Sequence, residues 1–308
     1  HLLFPQLHET IAALWAEGTY RFSMTVAIGL MTAGLAIKSG LFPFHFWMPD
    51  TYGYATTASS SIISGIVSKI YIFTSIKMLY RVMGASYATQ SHITDVLFVF
   101  GLAGMIIGSL HAIREKNINR MVAFSSAAQI GYIYAAIGLG TEAGLAAAVF
   151  HMMTHALTKP LLFTAADGLI DAVGNRKDFA SLRGSAHLNR LAGIGFTVGS
   201  LSMVGLPAFS GFVSKLLIAE ASTNVAGKML ATLIVLSVST ILNAVYFLHT
   251  VITIYTPRTP DLPVYGVMKN RKGLFAVYAC FIAAILLLGL HPQPVLNILS
   301  SGITLFVK

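Results

Sequence analysis

Long apolar runs, punctuated by short polar clusters, set the pattern of this chain. A helix that crosses a bilayer core needs about 20 mostly apolar residues. About eight stretches meet or approach that length: residues 22 to 37, 60 to 80, 93 to 113, 121 to 140, 143 to 172, 191 to 220, 229 to 256 and 274 to 291. The pattern predicts an all-α, polytopic membrane protein with about eight transmembrane helices. Two of them contain breakers. Gly40-Leu41-Phe42-Pro43-Phe44-His45 follows the first run, and Gly205-Leu206-Pro207-Ala208-Phe209-Ser210-Gly211-Phe212 interrupts the sixth. Pro and Gly free backbone groups that hydrocarbon cannot satisfy, so such breaks are expected beside protein or water. A simple proline kink is the plainer alternative. Upstream, residues 1 to 20 place Ile11, Leu14 and Trp15 at helical spacing with Glu9 and Glu17 nearby. That segment reads either as an amphipathic helix at the interface or as an ordinary interhelical loop. It has no basic region before its apolar part and so is not a signal peptide, and a start at His1 leads us to expect that an N-terminal piece is missing.

Composition narrows the class further. Of 308 residues, 56% are hydrophobic and 10% charged, with a mean hydropathy of +0.75, which excludes a soluble globular domain. The net charge of +9 does not point to nucleic acid, because the basic residues sit in short loops between apolar runs. With alternating helices, the loops at 114–120, 173–190 and 257–273 share one side and hold 11 Lys plus Arg; the opposite loops hold only Arg81 and Lys228. The positive-inside rule puts the basic loops on the cytoplasmic side of an inner (plasma) membrane, crossed several times. Cys280 is the single cysteine, so disulfides, thiolate metal sites and Fe–S ligation within the chain are excluded by counting. We expect no cofactor in this chain.

A charged side chain in the middle of a membrane helix costs about 2.5 to 3.5 kcal/mol even on the lenient insertion scale. Lys38 ends the first helix, Lys69 lies near the centre of the second, Lys159 is inside the fifth, and Lys215 follows the break in the sixth. Lysine suits proton handling because burial disfavours an ammonium, whereas a guanidinium stays charged. The alternative is an ammonium that snorkels to the interface, most apt for Lys38 and Lys77 near helix ends. His151, His155 and Lys159 follow one another at spacings of four, within one arc of a helix. Both nitrogens of an imidazole can hand on a proton, so two histidines leading to a lysine make a relay. Metal or haem ligation and helix-packing glue are the duller readings of the same stripe.

These residues give the chain its resemblance to a known family. KSGLFPFHFWMPD at 38 to 50, INRMVAFSSAAQIGY at 118 to 132, FHMMTHALTKPLLF at 150 to 163 and GLPAFSGFVSK at 205 to 215 resemble the antiporter-like subunits shared by respiratory complex I, Mrp-type cation/proton antiporters and membrane-bound energy-converting hydrogenases. In that family two inverted five-helix repeats lie within fourteen core helices, and this chain is similar to the part from the seventh helix onward. The resemblance implies one complete repeat unit at 93–256, the remainder of the first at 21–92 and a C-terminal helix and tail at 257–308. It implies Lys38 as the lysine of a first half-channel, Lys69 as a connecting lysine, His151, His155 and Lys159 as a central relay, and Lys215 as the end of the second half-channel. Some members carry glutamate where Lys215 stands. The glutamate that the family pairs with the first half-channel lysine has no counterpart motif here, which leaves Lys38 without its expected partner.

The function implied is translocation of H⁺ or Na⁺ by a non-redox subunit. Its partners would be other membrane subunits, including antiporter-like paralogues, of a complex I-like, Mrp or hydrogenase assembly. Two rivals stand beside it: a membrane scaffold with a decayed half-channel, and an independent secondary cation transporter, for which Asp167, Asp171 and Glu220 are the only buried-looking acids.

Overall fold

The computed structural model describes residues 3–257 and 272–307, and among these the chain is all-helical apart from turns and one isolated β-bridge. It begins with α1 (Phe4–Glu17), a helix where a loop was the competing expectation. Trp15 packs edge-on against Tyr87 with ring centroids 4.2 Å apart, and His8 hydrogen-bonds the Val82 carbonyl at 3.0 Å. α2 (Arg21–Ser39) stops at Gly40, whose φ of +82° ends the helix without the penalty a Cβ would bring. A 3₁₀ turn at Phe44–Trp47 and α3 (Met48–Tyr54) complete the first broken segment.

The next run is one continuous helix of mixed winding. α4 (Thr57–Ile62) passes through a π-helical turn at Ile63–Val67 into α5 (Ser68–Ile76) and a second π-helical turn at Lys77–Val82. The short α6 (Ala85–Gln90) leads into α7 (Ile93–Arg114) and α8 (Ile118–Ile137). These two meet through small residues: Gly101 and Gly108 leave no room for a Cβ against the backbones of Ala135 and Ala128. Close approach of this kind is how helices associate in lipid, where burial against another helix gains no hydrophobic free energy over lipid. α9 (Glu142–Asp171) is capped by the Thr141 hydroxyl, which accepts from Gly144 N–H at 3.0 Å. The short α10 (Ser185–Leu188) precedes α11 (Arg190–Val204), and the sixth run breaks at Gly205 before α12 (Ser210–Thr223). α13 (Met229–Tyr255), α14 (Lys272–Leu290) and α15 (Gln293–Val307) follow, the last a helix where the sequence suggests only a tail.

Burial sorts these helices into centre and rim. Nearly every residue of α8 is buried, as is most of α9, which packs against α8, α11, α12, α14 and α15. Phe22, Leu30, Ile234, Ile241, Leu287 and Leu290 point outward and exposed, as expected of side chains facing acyl chains. Among the described residues five stretches are long and apolar enough to cross a membrane: Arg21–Tyr54, Thr57–Val82, Ile93–Arg114, Met229–Tyr255 and Gly273–Leu290. α8 and α9 have the length but carry the internal polar residues, and α11 is apolar but short.

The ends of the bundle differ in charge chemistry. On one, the turn after α7 is tied to the loop after α9 by the bridge between Asn117 and Asp178 and by Ile118 N–H donating to the Lys177 carbonyl at 3.0 Å. Lys177 Nζ donates to the Gly53 carbonyl at 3.1 Å, and Arg120 pairs with Glu115 at 3.0 Å and with Asp50. The basic loops 114–120 and 173–190 therefore share a face; the third, at 257–273, lies almost wholly outside the described residues. At the other end Lys228 bridges Asp95 at 2.5 Å and donates to the Gly138 carbonyl at 2.6 Å.

Candidate functional site

Among the described residues three lysines lie in the interior, and each is held in the same manner. Lys69 sits two residues past the π-helical turn, and its ammonium donates to the Ser64 carbonyl and to Ser68 Oγ at 3.2 Å. A π turn shifts backbone bonds by one residue, which is how a carbonyl in this segment comes to face a side chain. Gly65 in that turn lies against Pro160 of α9, so the widened turn and the proline fit one another. Lys159 is fully buried, 0% exposed, and donates to the Val122 carbonyl at 2.9 Å and to Ser125 Oγ. Lys215 donates to the carbonyls of Met203 at 3.1 Å and Val204 at 2.8 Å, and to Thr240 Oγ1 at 3.2 Å.

The break at Gly205 explains the last site. Gly205 and Leu206 N–H bond back to the carbonyls of Leu201 and Ser202, leaving those of Met203 and Val204 at the end of α11 for the lysine. A cation there also meets the negative end of the helix dipole. Each lysine thus has one or two carbonyls and one hydroxyl, and among the described residues none forms an ion pair with a carboxylate.

The α9 stripe runs between them. His151 hydrogen-bonds Ser214 Oγ through Nδ1 at 3.0 Å and stacks on Tyr132, with centroids 5.3 Å apart and planes inclined by 17°. Its Nε2, both ring nitrogens of His155 and Thr154 Oγ1 are buried with no protein partner, as are both amide atoms of Gln129. Buried polar atoms are normally satisfied, so an unpaired set gathered around one stripe is where internal water belongs. His151 lies within electrostatic range of Lys215 and Lys69, His155 of Lys69 and Lys159, and Lys159 of Lys69. The fold therefore brings together Lys69, His151, His155, Lys159 and Lys215. A hydroxyl pair links two of the sites: Ser64, whose carbonyl receives Lys69, bonds to Ser126 at 3.0 Å, next in sequence to the Ser125 that receives Lys159.

Lys38 stands apart. It is exposed at the end of α2 and makes no hydrogen bond or ion pair among the described residues. Lys77 reaches the Phe4 ring at 4.9 Å. Reasoning from sequence missed Ser125, Gln129 and Tyr132, although their spacings of four and three mark one face of α8 in the same way that the histidines mark α9. Among the described residues no group of three or more His, Cys, Asp or Glu is arranged to hold a metal ion.

A family model described as NADH:quinone oxidoreductase/Mrp antiporter, TM, matches residues 2–243. The chain is 33% identical over 238 residues to the NADH-quinone oxidoreductase subunit N of Desulforudis audaxviator, covering 77% of this chain and 46% of that one. It is 28% identical over 267 residues to a hydrogenase-4 component F homolog of Methylacidiphilum infernorum, covering 84% and 55%. Among solved structures it is similar to a chain of the Mrp complex from Dietzia, with a TM-score of 0.80 and 26% identity, covering 92% of this chain and 59% of that one. A chain of the membrane-bound sulfane sulfur reductase, an archaeal respiratory membrane complex, gives 0.83 and 26%, covering 94% and 57%. The chain spans about half the length of the curated relatives it matches. With a family model covering most of its length and a multi-pass helical fold to match, the chain belongs to the NADH:quinone oxidoreductase/Mrp antiporter transmembrane family.

Proposed function

We propose that this chain is a proton- or sodium-translocating, antiporter-like subunit of a larger membrane assembly, and that Lys69, His155, Lys159, His151 and Lys215 form its ion path. The observation that carries this reading is the set of three buried lysines held by neutral oxygens, with buried, unpaired imidazole nitrogens between them. Among the described residues no carboxylate pairs with these ammonium groups, so a proton on one raises the cost of a proton on the next. At an effective dielectric of about 20, two charges 8 Å apart repel by about 2 kcal/mol. A charge arriving at one end can therefore displace a proton further along, and the imidazoles between supply nitrogens able to accept it. Buried polar side chains at membrane depth fit the rule that intramembrane polar groups line ion pathways.

The same reading takes in eight transmembrane helices, one complete five-helix repeat at 93–256, and the remainder of another at 21–92 with α1 at the interface. It puts the basic loops on the cytoplasmic side. Redox chemistry, where the assembly performs it, resides in other subunits, and antiporter-like paralogues and further membrane subunits are its neighbours. The names of the relatives, which span an oxidoreductase subunit, a hydrogenase component and an Mrp complex, support such a setting without choosing among them. Among the described residues Lys38 is exposed and unpaired, which is equally what a partner on residues outside this sequence, a partner on another polypeptide, or the decayed half-channel of the scaffold reading would leave.

The test is ion movement into proteoliposomes holding the purified assembly, followed by an internal pH dye and a sodium tracer. Lys215→Ala is expected to abolish translocation while the driving reaction continues, with the tracer naming the ion. Undiminished translocation would hand the lead to the scaffold.

A further inference from the structure

Behind the lysines and histidines, α13 carries a buried polar strip on a mostly apolar helix. Ser239, Asn243 and Tyr246 stand four and three residues apart, on one face. None reaches solvent: Ser239 and Asn243 are 0% exposed and Tyr246 is 4%. An unpaired amide at such a depth would be costly, and this one is paired at both atoms. The Tyr246 hydroxyl donates to Asn243 Oδ1 at 2.5 Å, and Asn243 Nδ2 donates to the Tyr132 hydroxyl at 3.2 Å. Tyr132 in turn donates to Ser239 Oγ at 2.9 Å, and Ser239 donates to the Met105 carbonyl at 3.2 Å. Ser109 adds a second donor to Asn243 Oδ1 at 3.3 Å. The Tyr132 hydroxyl is thereby gripped from both sides, once as acceptor and once as donor.

What that grip holds is an aromatic ring in contact with two members of the ion path. The Tyr132 ring stacks on His151, and the Lys215 ammonium lies 5.3 Å from its centroid. Thr240, the residue after Ser239, accepts from the same ammonium. Attraction between a cation and a ring face depends on the cation lying over the ring. A ring tethered by its hydroxyl keeps that geometry as charge arrives.

We infer that Ser239, Asn243 and Tyr246 are positioning residues for the second half of the ion path: by fixing the Tyr132 ring they set the spacing of His151 and Lys215 and keep a π face under the ammonium. A carboxamide does not take up and pass on a proton as a hydroxyl or imidazole does, so Asn243 holds the ring without conducting. This inference rests on the ion-translocation reading, which Lys215→Ala tests separately.

The experiment compares Tyr132→Phe, Asn243→Leu, the double variant and Tyr132→Leu with Lys215→Ala, each in the purified assembly in proteoliposomes. Thermal unfolding in detergent is followed in parallel. Tyr132→Phe and Asn243→Leu are each expected to slow translocation roughly tenfold, the scale of one lost buried hydrogen-bond partner. The double variant is expected to fall no further than Tyr132→Phe alone, because loss of the hydroxyl already removes the bond that Asn243 supplies. Tyr132→Leu, which also loses the ring, is expected to approach Lys215→Ala. Wild-type rates in Tyr132→Phe and Asn243→Leu beside a dead Lys215→Ala would overturn the inference and leave the relay standing. Losses that add in the double and follow the unfolding temperature would reduce the strip to packing and overturn it as well. A Lys215→Ala assembly that still translocates would overturn the relay reading and this inference with it.

Discussion

The Lys215 ammonium lies 2.8 Å from the Val204 carbonyl, at the broken end of α11, so one side chain both closes a helix and offers a protonatable group. Loss of its proton would weaken the bonds that hold the last turn, since an ammonium donates more strongly than an amine. On the proposed ion path, occupancy and the local backbone would thereby be linked at Gly205.

That linkage makes Gly205 a test site. Its φ of +89° is one that an L side chain rarely adopts, and a Cβ would press on the aliphatic stem of Lys215. Gly205→Ala is expected to cost about 1 to 2 kcal/mol of stability. Translocation should fall more than that loss explains, measured as thermal unfolding in detergent beside ion flux in liposomes.

Lys69→Met separates relay from scaffold. A buried ammonium with no counter-ion is costly to keep charged, and an apolar side chain of similar length removes that cost. The variant should unfold within a few degrees of the parent, on the scale of about 1 kcal/mol, yet lose translocation. A variant that loses its fold instead would mark Lys69 as structural.

Lys228 supplies the contrast. It has the carboxylate partner that the interior lysines lack, Asp95 at 2.5 Å, and lies at the end of the bundle. Lys228→Gln is expected to cost about 1 kcal/mol or less and to leave the rate of translocation near that of the parent. A large loss of flux would extend the ion path to that end.

Acidity should act on the tie between the two basic loops. Burial opposes ionisation of Asp178, but hydrogen bonds from Ser181, one of them from its N–H at 2.9 Å, together with its own backbone N–H and the charge of Arg176 hold the carboxyl below its ordinary range. A lowered folded-state value means that the contribution is present in full above the unfolded value, about 3.9, and fades as pH falls through the folded one. Hydrogen exchange at Ile118, whose N–H donates to Lys177 next door, is expected to be flat from neutral pH down to about 4 after correction for intrinsic rates, and to quicken below it. Asp178→Asn should show quickened exchange throughout.

Much of the helical layout was legible because a membrane helix is announced by its own residues. The runs at 93 to 113 and 229 to 256 match α7 and α13 to within a residue. Gly205 and Pro207 mark the break where backbone bonding does fail. The α9 stripe was legible too, because spacing alone puts His151, His155 and Lys159 on one face. The oxygens that receive each lysine were not. Val122 and Ser125 lie 37 and 34 residues from Lys159, and which turn of α8 faces it depends on how small residues such as Gly108 let the helices settle. Asn243 was invisible for a similar reason: its partners come from α7, α8 and α13 together. Lys38 shows the converse, since its exposure depends on what packs beside α2 and not on its own run.

The most direct test is Lys159→Ala in the purified assembly, with ion translocation into proteoliposomes and the driving reaction measured on the same preparation. This account predicts that translocation collapses while the driving reaction survives. Translocation at the parent rate would contradict it, and would make Lys159, the best-buried lysine among the described residues, a packing element.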